Sequence, residues 1–212
     1  MQAKRIVNFG ELNMPEVTDF PDFILQIIPK DGIDDLVLPN NSMFLLRELV
    51  IQMKKQRRNF QQGKFEDNNR EKFGITVIFL GINRKKKIMA AEALATELHM
   101  DLFRIDLSQV VNKYVGETEK NLRKVFYAAE DGGAILFFDE ADSLFGSRSE
   151  VRDSHDRYGN IEISYLLERV ERYKGLAILA TNRKEDLDDA FIRRIRFIVD
   201  FPLPDTKRRI KI

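Results

Sequence analysis

The sequence predicts an α/β domain built on a mostly parallel sheet, and three observations predict it. From Gly74 onward, apolar runs of strand length alternate with segments of helical periodicity, the pattern of strands covered by helices on both faces. Residues 135–138, Ile-Leu-Phe-Phe, are apolar without interruption, as a strand buried on both faces must be. Two carboxylates, Asp139 and Glu140, follow where that strand ends, at the kind of edge where open α/β sheets place their ligands.

The elements follow in order. Pro15, Pro21 and Pro29 break any long helix in the first 31 residues, and Phe23-Ile-Leu-Gln-Ile-Ile has the length of a short one. Residues 41–58 predict a helix with Phe44, Leu45, Leu49 and Met53 on one side. Residues 54–72 are polar and charged, a surface linker. Strands are predicted at 75–80, 102–106, 134–138, 176–180 and 197–201. Helices are predicted at 89–98, through Ala91, Leu94, Ala95 and Leu98, and at 117–130, through Leu122, Val125, Phe126 and Ala129. A third repeats the spacing at 163, 166, 167 and 170. No internal repeat and no low-complexity segment interrupts the pattern.

Composition narrows the functional classes. A chain of 212 residues is enough for one large α/β domain or two small ones. Lys plus Arg is 35 against 34 for Asp plus Glu, so net charge argues for no polyanionic partner. The absence of cysteine excludes disulfides, thiolate catalysis and Cys-based zinc sites, and fits a reducing compartment. Met1-Gln-Ala-Lys-Arg lacks the apolar stretch of a signal peptide. The apolar run near residues 75–82 is far short of the roughly 20 residues of a membrane helix. A cytoplasmic protein with no membrane partner is expected.

An acid at the end of the 135–138 strand can hold Mg²⁺ on a nucleotide, and its neighbour can polarise a water. A core strand that merely ends in solvated acids has the same sequence. The four cations from Arg84 to Lys87 can attract phosphate; a solvated basic turn reads identically. Nucleic acid is not expected, because no aromatics interleave with the cations. His155, one of two histidines, lies in a polar stretch read as a loop.

Four blocks occur in order: Gly116-Glu-Thr-Glu-Lys-Asn-Leu-Arg, residues 135–142, Ala180-Thr-Asn-Arg and Leu187-Asp-Asp-Ala-Phe-Ile-Arg-Arg. Together they resemble the AAA family of ATPases within the P-loop class, over about Gly32 to the C-terminus. The resemblance implies a P-loop NTPase three-layer sandwich with a five-stranded parallel sheet in the order 5-1-4-3-2. It implies ATP and Mg²⁺ as cofactors, ATP hydrolysis, a polypeptide substrate, hexameric rings and a place in a protein-remodelling or unfolding machine. By position, Asp139 is similar to the aspartate that holds Mg²⁺, and Glu140 to the glutamate that orients the attacking water. Asn182 resembles the sensor asparagine, although an N-cap of the next helix is also a common asparagine role. Arg193 and Arg194 resemble the arginine fingers that act across a subunit interface; at a helix end they also suit the dipole. Gly32-Ile33-Asp34-Asp35 resembles the segment whose backbone lies beside adenine, with Ile33 and Asp34 as its contacts. Tyr114 in Lys113-Tyr-Val-Gly is similar to the pore-loop aromatic that grips polypeptide. Residues 1–31 then form an N-terminal segment and 32–205 the core. Residues 206–212 begin the connection to a helical lid that this sequence does not contain.

The sequence also departs from the family. A P-loop follows Gly-x-x-x-x-Gly-Lys-[Ser/Thr], and here the run is Gly81-Ile-Asn-Arg-Lys-Lys-Lys-Ile88. Gly81 and Lys87 match. Lys86 stands at the second glycine, Arg84 at another position where relatives have glycine, and Ile88 at the metal-binding hydroxyl. Weakened nucleotide binding is the expectation, the chain on its own being monomeric and of doubtful activity. The alternative is a non-catalytic AAA-like interaction module or a truncated inactive copy.

Overall fold

The computed structural model describes residues 23–61, 74–111, 122–123, 125–127, 129, 133–142, 165–183, 192–193 and 195–203. Strand β1 spans Ile24–Ile27, helix α1 Asn40–Gln61, strand β2 Ile75–Leu80 and helix α2 Arg84–Leu98. Strand β3 spans Leu102–Asp106, helix α3 Leu107–Val111, and strands β4, β5 and β6 span Ile135–Asp139, Leu176–Thr181 and Phe197–Asp200. A 3₁₀ turn occupies Ile33–Asp35, and residues 165–172 are helical.

The sheet runs β1-β3-β4-β5-β2-β6. Its five strands from β2 onward pair in parallel, in the order expected from the resemblance: β6 beside β2, β2 beside β5, β5 beside β4, β4 beside β3. Two expectations fail. The sheet has six strands, because residues 24–27 pair antiparallel with β3, Ile24 opposite Ile105 and Ile27 opposite Leu102. The segment read as a short helix is therefore an edge strand. Its apolar run of Ile and Leu suits either state at this length, and the open edge of β3 decides for the strand.

Burial explains the central strands. All five residues of β4 and all six of β5 are buried, as strands with helices on both faces must be. On one face, α1 and α2 pack through Leu46, Leu49, Leu94 and Leu98 against Val77, Phe79, Phe137 and Ile178. On the other, Leu122, Val125, Phe126, Leu166 and Val170 cover Ile78, Leu136, Phe138 and Leu179. The expected apolar side of α1 is partly wrong: Phe44 is exposed and Leu46 is buried instead.

Tyr173 ties the second layer to the sheet. Its ring is buried, and its hydroxyl donates to the Ala134 carbonyl at 2.6 Å. At the other end of the sheet, the Ser42 hydroxyl donates to the Asp200 carbonyl at 2.7 Å, joining α1 to β6. Gly81 closes β2 against β6. It has φ +141°, and a Cβ there would lie 2.3 Å from the Phe201 carbonyl oxygen.

Candidate functional site

The carboxyl ends of β2, β4 and β5 bring together residues far apart in sequence. Because β4 and β5 are parallel neighbours, Asp139 and Asn182 lie at one edge. The first turn of α2, which follows β2, crosses the same edge.

Asp139 is buried, and both of its oxygens are committed. Oδ2 accepts from Arg84 Nε at 2.8 Å and from Arg104 Nε at 2.9 Å. Oδ1 accepts the Glu140 amide at 3.1 Å. Arg84 also pairs with Glu140, its terminal nitrogen 3.7 Å from Oε1. Burial alone lowers the Arg84 pKa, but the hydrogen bond and charge of Asp139, with Glu140 and Asp106 behind it, outweigh that and raise it. Glu140 sits at φ +56°, left-handed backbone that a side chain adopts at a cost of about 1–2 kcal/mol. The turn lets the next amide, of Ala141, bond to the Ala180 carbonyl at 2.9 Å, so the chain stays on β5 beyond the end of β4.

The second cluster centres on Asn182. Buried Lys87 donates to the Thr181 carbonyl at 3.0 Å and to Asn182 Oδ1 at 3.1 Å. The Asn182 side-chain NH₂ donates to Asp142 Oδ2 at 3.0 Å, and its backbone N–H to Asp142 Oδ1 at 2.9 Å. The Thr181 hydroxyl donates to the same Asp142 carboxylate. Asn182 is thus held between a cation on its oxygen and an anion on its nitrogen. Burial pushes the Lys87 ammonium below its ordinary value. Asp142, Asp139 and Glu140 pull it back up, and Arg84 adds to the depression.

The loop between β2 and α2 is Gly81-Ile82-Asn83. The Arg84 amide donates to the Ile82 carbonyl at 2.9 Å and the Lys87 amide to the Asn83 carbonyl at 3.2 Å. The Asn83 side chain caps the helix, accepting from the Lys86 amide at 3.1 Å, a common asparagine role. The Lys86 ammonium turns away and donates to the Val37 carbonyl at 3.1 Å.

The remaining residues singled out in the sequence lie elsewhere. Ile33 is packed in the core, and exposed Asp34 pairs with Arg47 at 3.1 Å. Arg193 is exposed. Tyr114 and Arg194 fall outside the described residues. Two site residues carried no role in the sequence reading. Arg104 is a charge inside a strand of a sheet otherwise covered on both faces, and Asp142 is the last acid of the Asp-Glu-Ala-Asp run. Each was legible as a charge in an unusual place.

A mostly parallel α/β sheet with a polar cluster at its carboxyl edge and a helix start above it places these residues where open α/β sheets bind their ligands. The family model of the ATPase family associated with various cellular activities (AAA) matches residues 77–203, and the chain belongs to that family. The chain is 30% identical over 184 residues to an uncharacterised AAA family ATPase of Sinorhizobium fredii, covering 87% of this chain and 54% of that protein. It is 35% identical over 153 residues to the proteasome-activating nucleotidase of Methanospirillum hungatei, covering 67% of this chain and 37% of that protein. The chain thus spans about half the length, or less, of these relatives. Among solved structures, it is similar to the AAA domain of FIGL-1 in complex with ADP, with a TM-score of 0.64, 25% identity, and coverage of 89% of this chain and 61% of that one. Among the described residues, no helix is long and apolar enough to cross a membrane.

Proposed function

We propose that the chain is an AAA ATPase α/β core in which nucleotide binding is weakened and hydrolysis is negligible. One observation carries the reading: the amides that a phosphate loop needs are spent on the protein itself. Such a loop cradles phosphate with inward-pointing backbone N–H groups. Here the amides of Arg84, Lys86 and Lys87 bond to Ile82 and Asn83, and only three residues separate β2 from α2. The Lys87 ammonium is bonded to Thr181 and Asn182. ATP does not fit this loop unless the first turn of α2 unwinds.

Mg²⁺ does not fit either. Asp139 has Arg84 and Arg104 on one oxygen and the Glu140 amide on the other, and Ile88 offers no ligand atom.

In this reading, Asp139, Glu140 and Asn182 keep the residue types of a hydrolytic site, as Arg193 and Arg194 do for a subunit interface and Tyr114 for a polypeptide channel. Ile33 and Asp34 keep those of an adenine-flanking segment. Polypeptide remodelling in a hexameric ring is the inherited activity of residues 32–205, and the relationship to a proteasome-activating nucleotidase supports it. The committed loop amides favour equally the second reading, a non-catalytic interaction module or an inactive copy.

Calorimetric titration with Mg-ATP tests the proposal. Losing two or more charge-assisted hydrogen bonds of roughly 1.5–3 kcal/mol each weakens affinity by at least about a hundredfold. Arg84→Gly, Lys86→Gly and Ile88→Thr together reopen the loop and return a metal ligand, so the triple variant is expected to bind far more tightly. Low-micromolar binding by the unaltered chain would overturn the reading.

A further inference from the structure

We propose that the open edge of β1 is a docking surface for a second copy of this chain, which pairs with it antiparallel about a two-fold axis at Gln26. The proposal does not rest on the reading of the loop given above. It departs from the monomer expected from the sequence, and the contact is separate from the ring that the family resemblance implies.

The backbone gives the first argument. Among the described residues, β1 has one strand neighbour, β3. In an antiparallel pair, alternate residues exchange hydrogen bonds across the ladder, and those between them turn their N–H and C=O groups the other way. The Asp106 amide donates to the Phe23 carbonyl at 2.9 Å, so the backbones of Phe23, Leu25 and Ile27 bond towards β3, and those of Ile24 and Gln26 point outward. Ile28, one residue past the strand, continues the alternation. Such an edge is a template for another strand unless charge, proline or a bulge blunts it. Residues 24–28, Ile-Leu-Gln-Ile-Ile, contain no charge and no proline. Leu25 is 57% exposed and Ile28 78%.

The sequence of the edge selects the occupant. Residues 24, 26 and 28 are symmetric about Gln26, so two copies meet in register, Ile24 opposite the second copy's Ile28 and Gln26 opposite its own counterpart. On the other face of the strand, Leu25 stands opposite the second copy's Ile27. Every apolar side chain meets an apolar one, and the two Gln26 amides hydrogen-bond to each other. The register also sets position 22, an aspartate, against exposed Lys30, so the ends of the patch are complementary in charge. Lys30 spends its own amide on Glu92 at 3.2 Å, which ends the ladder at Ile28. A two-fold contact uses the same edge on both copies and closes, giving a dimer rather than a fibre. A strand pair this short buries less than the roughly 1,200 Å² of standard complexes, so the dimer is expected to be weak and to form across the micromolar range.

Sedimentation velocity of the full chain without nucleotide, from low micromolar to sub-millimolar concentration, tests the proposal. The unaltered chain is expected to shift from 24.8 kDa to twice that mass as concentration rises. Gln26→Lys and Gln26→Glu each set like charges face to face across the axis, and each alone is expected to dimerise several-fold more weakly. Mixed in equal amounts, the two variants are expected to restore the dimer, because lysine then meets glutamate. Only a contact in which position 26 faces itself has this pattern. Gln26→Pro deletes an outward N–H and no bond to β3. It is expected to keep the far-UV spectrum and melting temperature of the unaltered chain and to weaken association by about tenfold or more. A chain that stays monomeric throughout, as when another segment or another protein fills the edge, overturns the proposal. So does association that grows beyond the dimer, a dimer indifferent to position 26, or a lysine–glutamate mixture no stronger than its parts.

Discussion

Asp142 is the acceptor that fixes the orientation of Asn182, and replacing it gives a graded prediction. Asp142→Ala removes three hydrogen bonds: from the Thr181 hydroxyl, the Asn182 amide at 2.9 Å and the Asn182 side-chain NH₂ at 3.0 Å. The two Asn182 donors are exposed and return to water. The buried Thr181 hydroxyl keeps a contact with the Arg183 carbonyl at 3.1 Å. The cost therefore falls near the low end for charge-assisted bonds, about 2–3 kcal/mol in total. Asp142→Asn is the sharper probe. It preserves shape, and with its carbonyl in place of Oδ2 it still accepts from the Asn182 NH₂, but its own NH₂ then stands at the Oδ1 position, against the Asn182 backbone N–H. The opposite orientation sets its NH₂ against the Asn182 NH₂. Either orientation gives up one Asn182 bond and the charge on the other, so the isosteric change is expected to lose about half of what alanine loses. Urea unfolding measures both, with a midpoint shift near 1 M expected for about 2 kcal/mol at ordinary slopes. An Asp142→Asn variant within about 0.5 kcal/mol of the unaltered chain, the scatter of neutral surface changes, would refute the reasoning.

Two further predictions use the same edge. The folded Lys87 pKa lies below the ordinary 10.5, so between the two values the unfolded chain binds a proton that the folded chain has released. The unaltered chain then gains stability as pH rises through that window. Lys87→Met lacks this gain, and its stability deficit is expected to widen from neutral pH toward 10.5; paired urea titrations that show the deficit narrowing would reverse the assignment. Glu140→Gly is expected to raise stability by about 1 kcal/mol by relieving the left-handed backbone, and a melting temperature below that of the unaltered chain would show that the side chain contributes more than its strain.

The parallel sheet was legible because its signal is local and redundant. Burial on both faces forces unbroken apolar runs such as residues 135–138 and 176–180, and helical spacing marks the cover between them. The edge strand β1 was not, because Phe23-Ile-Leu-Gln-Ile-Ile is too short to separate period 2 from period 3.6, and only the open side of β3 decides. In the site, the convergence of Asp139, Asn182 and Lys87 followed from their places after strands or at a helix start. What the sequence hid was direction. Arg84, Lys86 and Lys87 read as one basic cluster, yet Arg84 points to Asp139, Lys86 to Val37 and Lys87 to Asn182. Those partners lie 49 to 95 residues away along the chain, beyond the reach of any local pattern.

The close approach of Gly81 to Phe201 bears on what this glycine reports about the loop. Any larger residue at position 81 would collide with the end of β6 whether or not phosphate ever enters the loop. Selection for folding alone would hold this glycine in place long after ligand binding had lapsed. The position of Lys86 carries no such double duty, since its side chain runs out to the Val37 carbonyl. In a chain of this kind the first glycine of the motif testifies to sheet architecture, and the second is the better witness to chemistry.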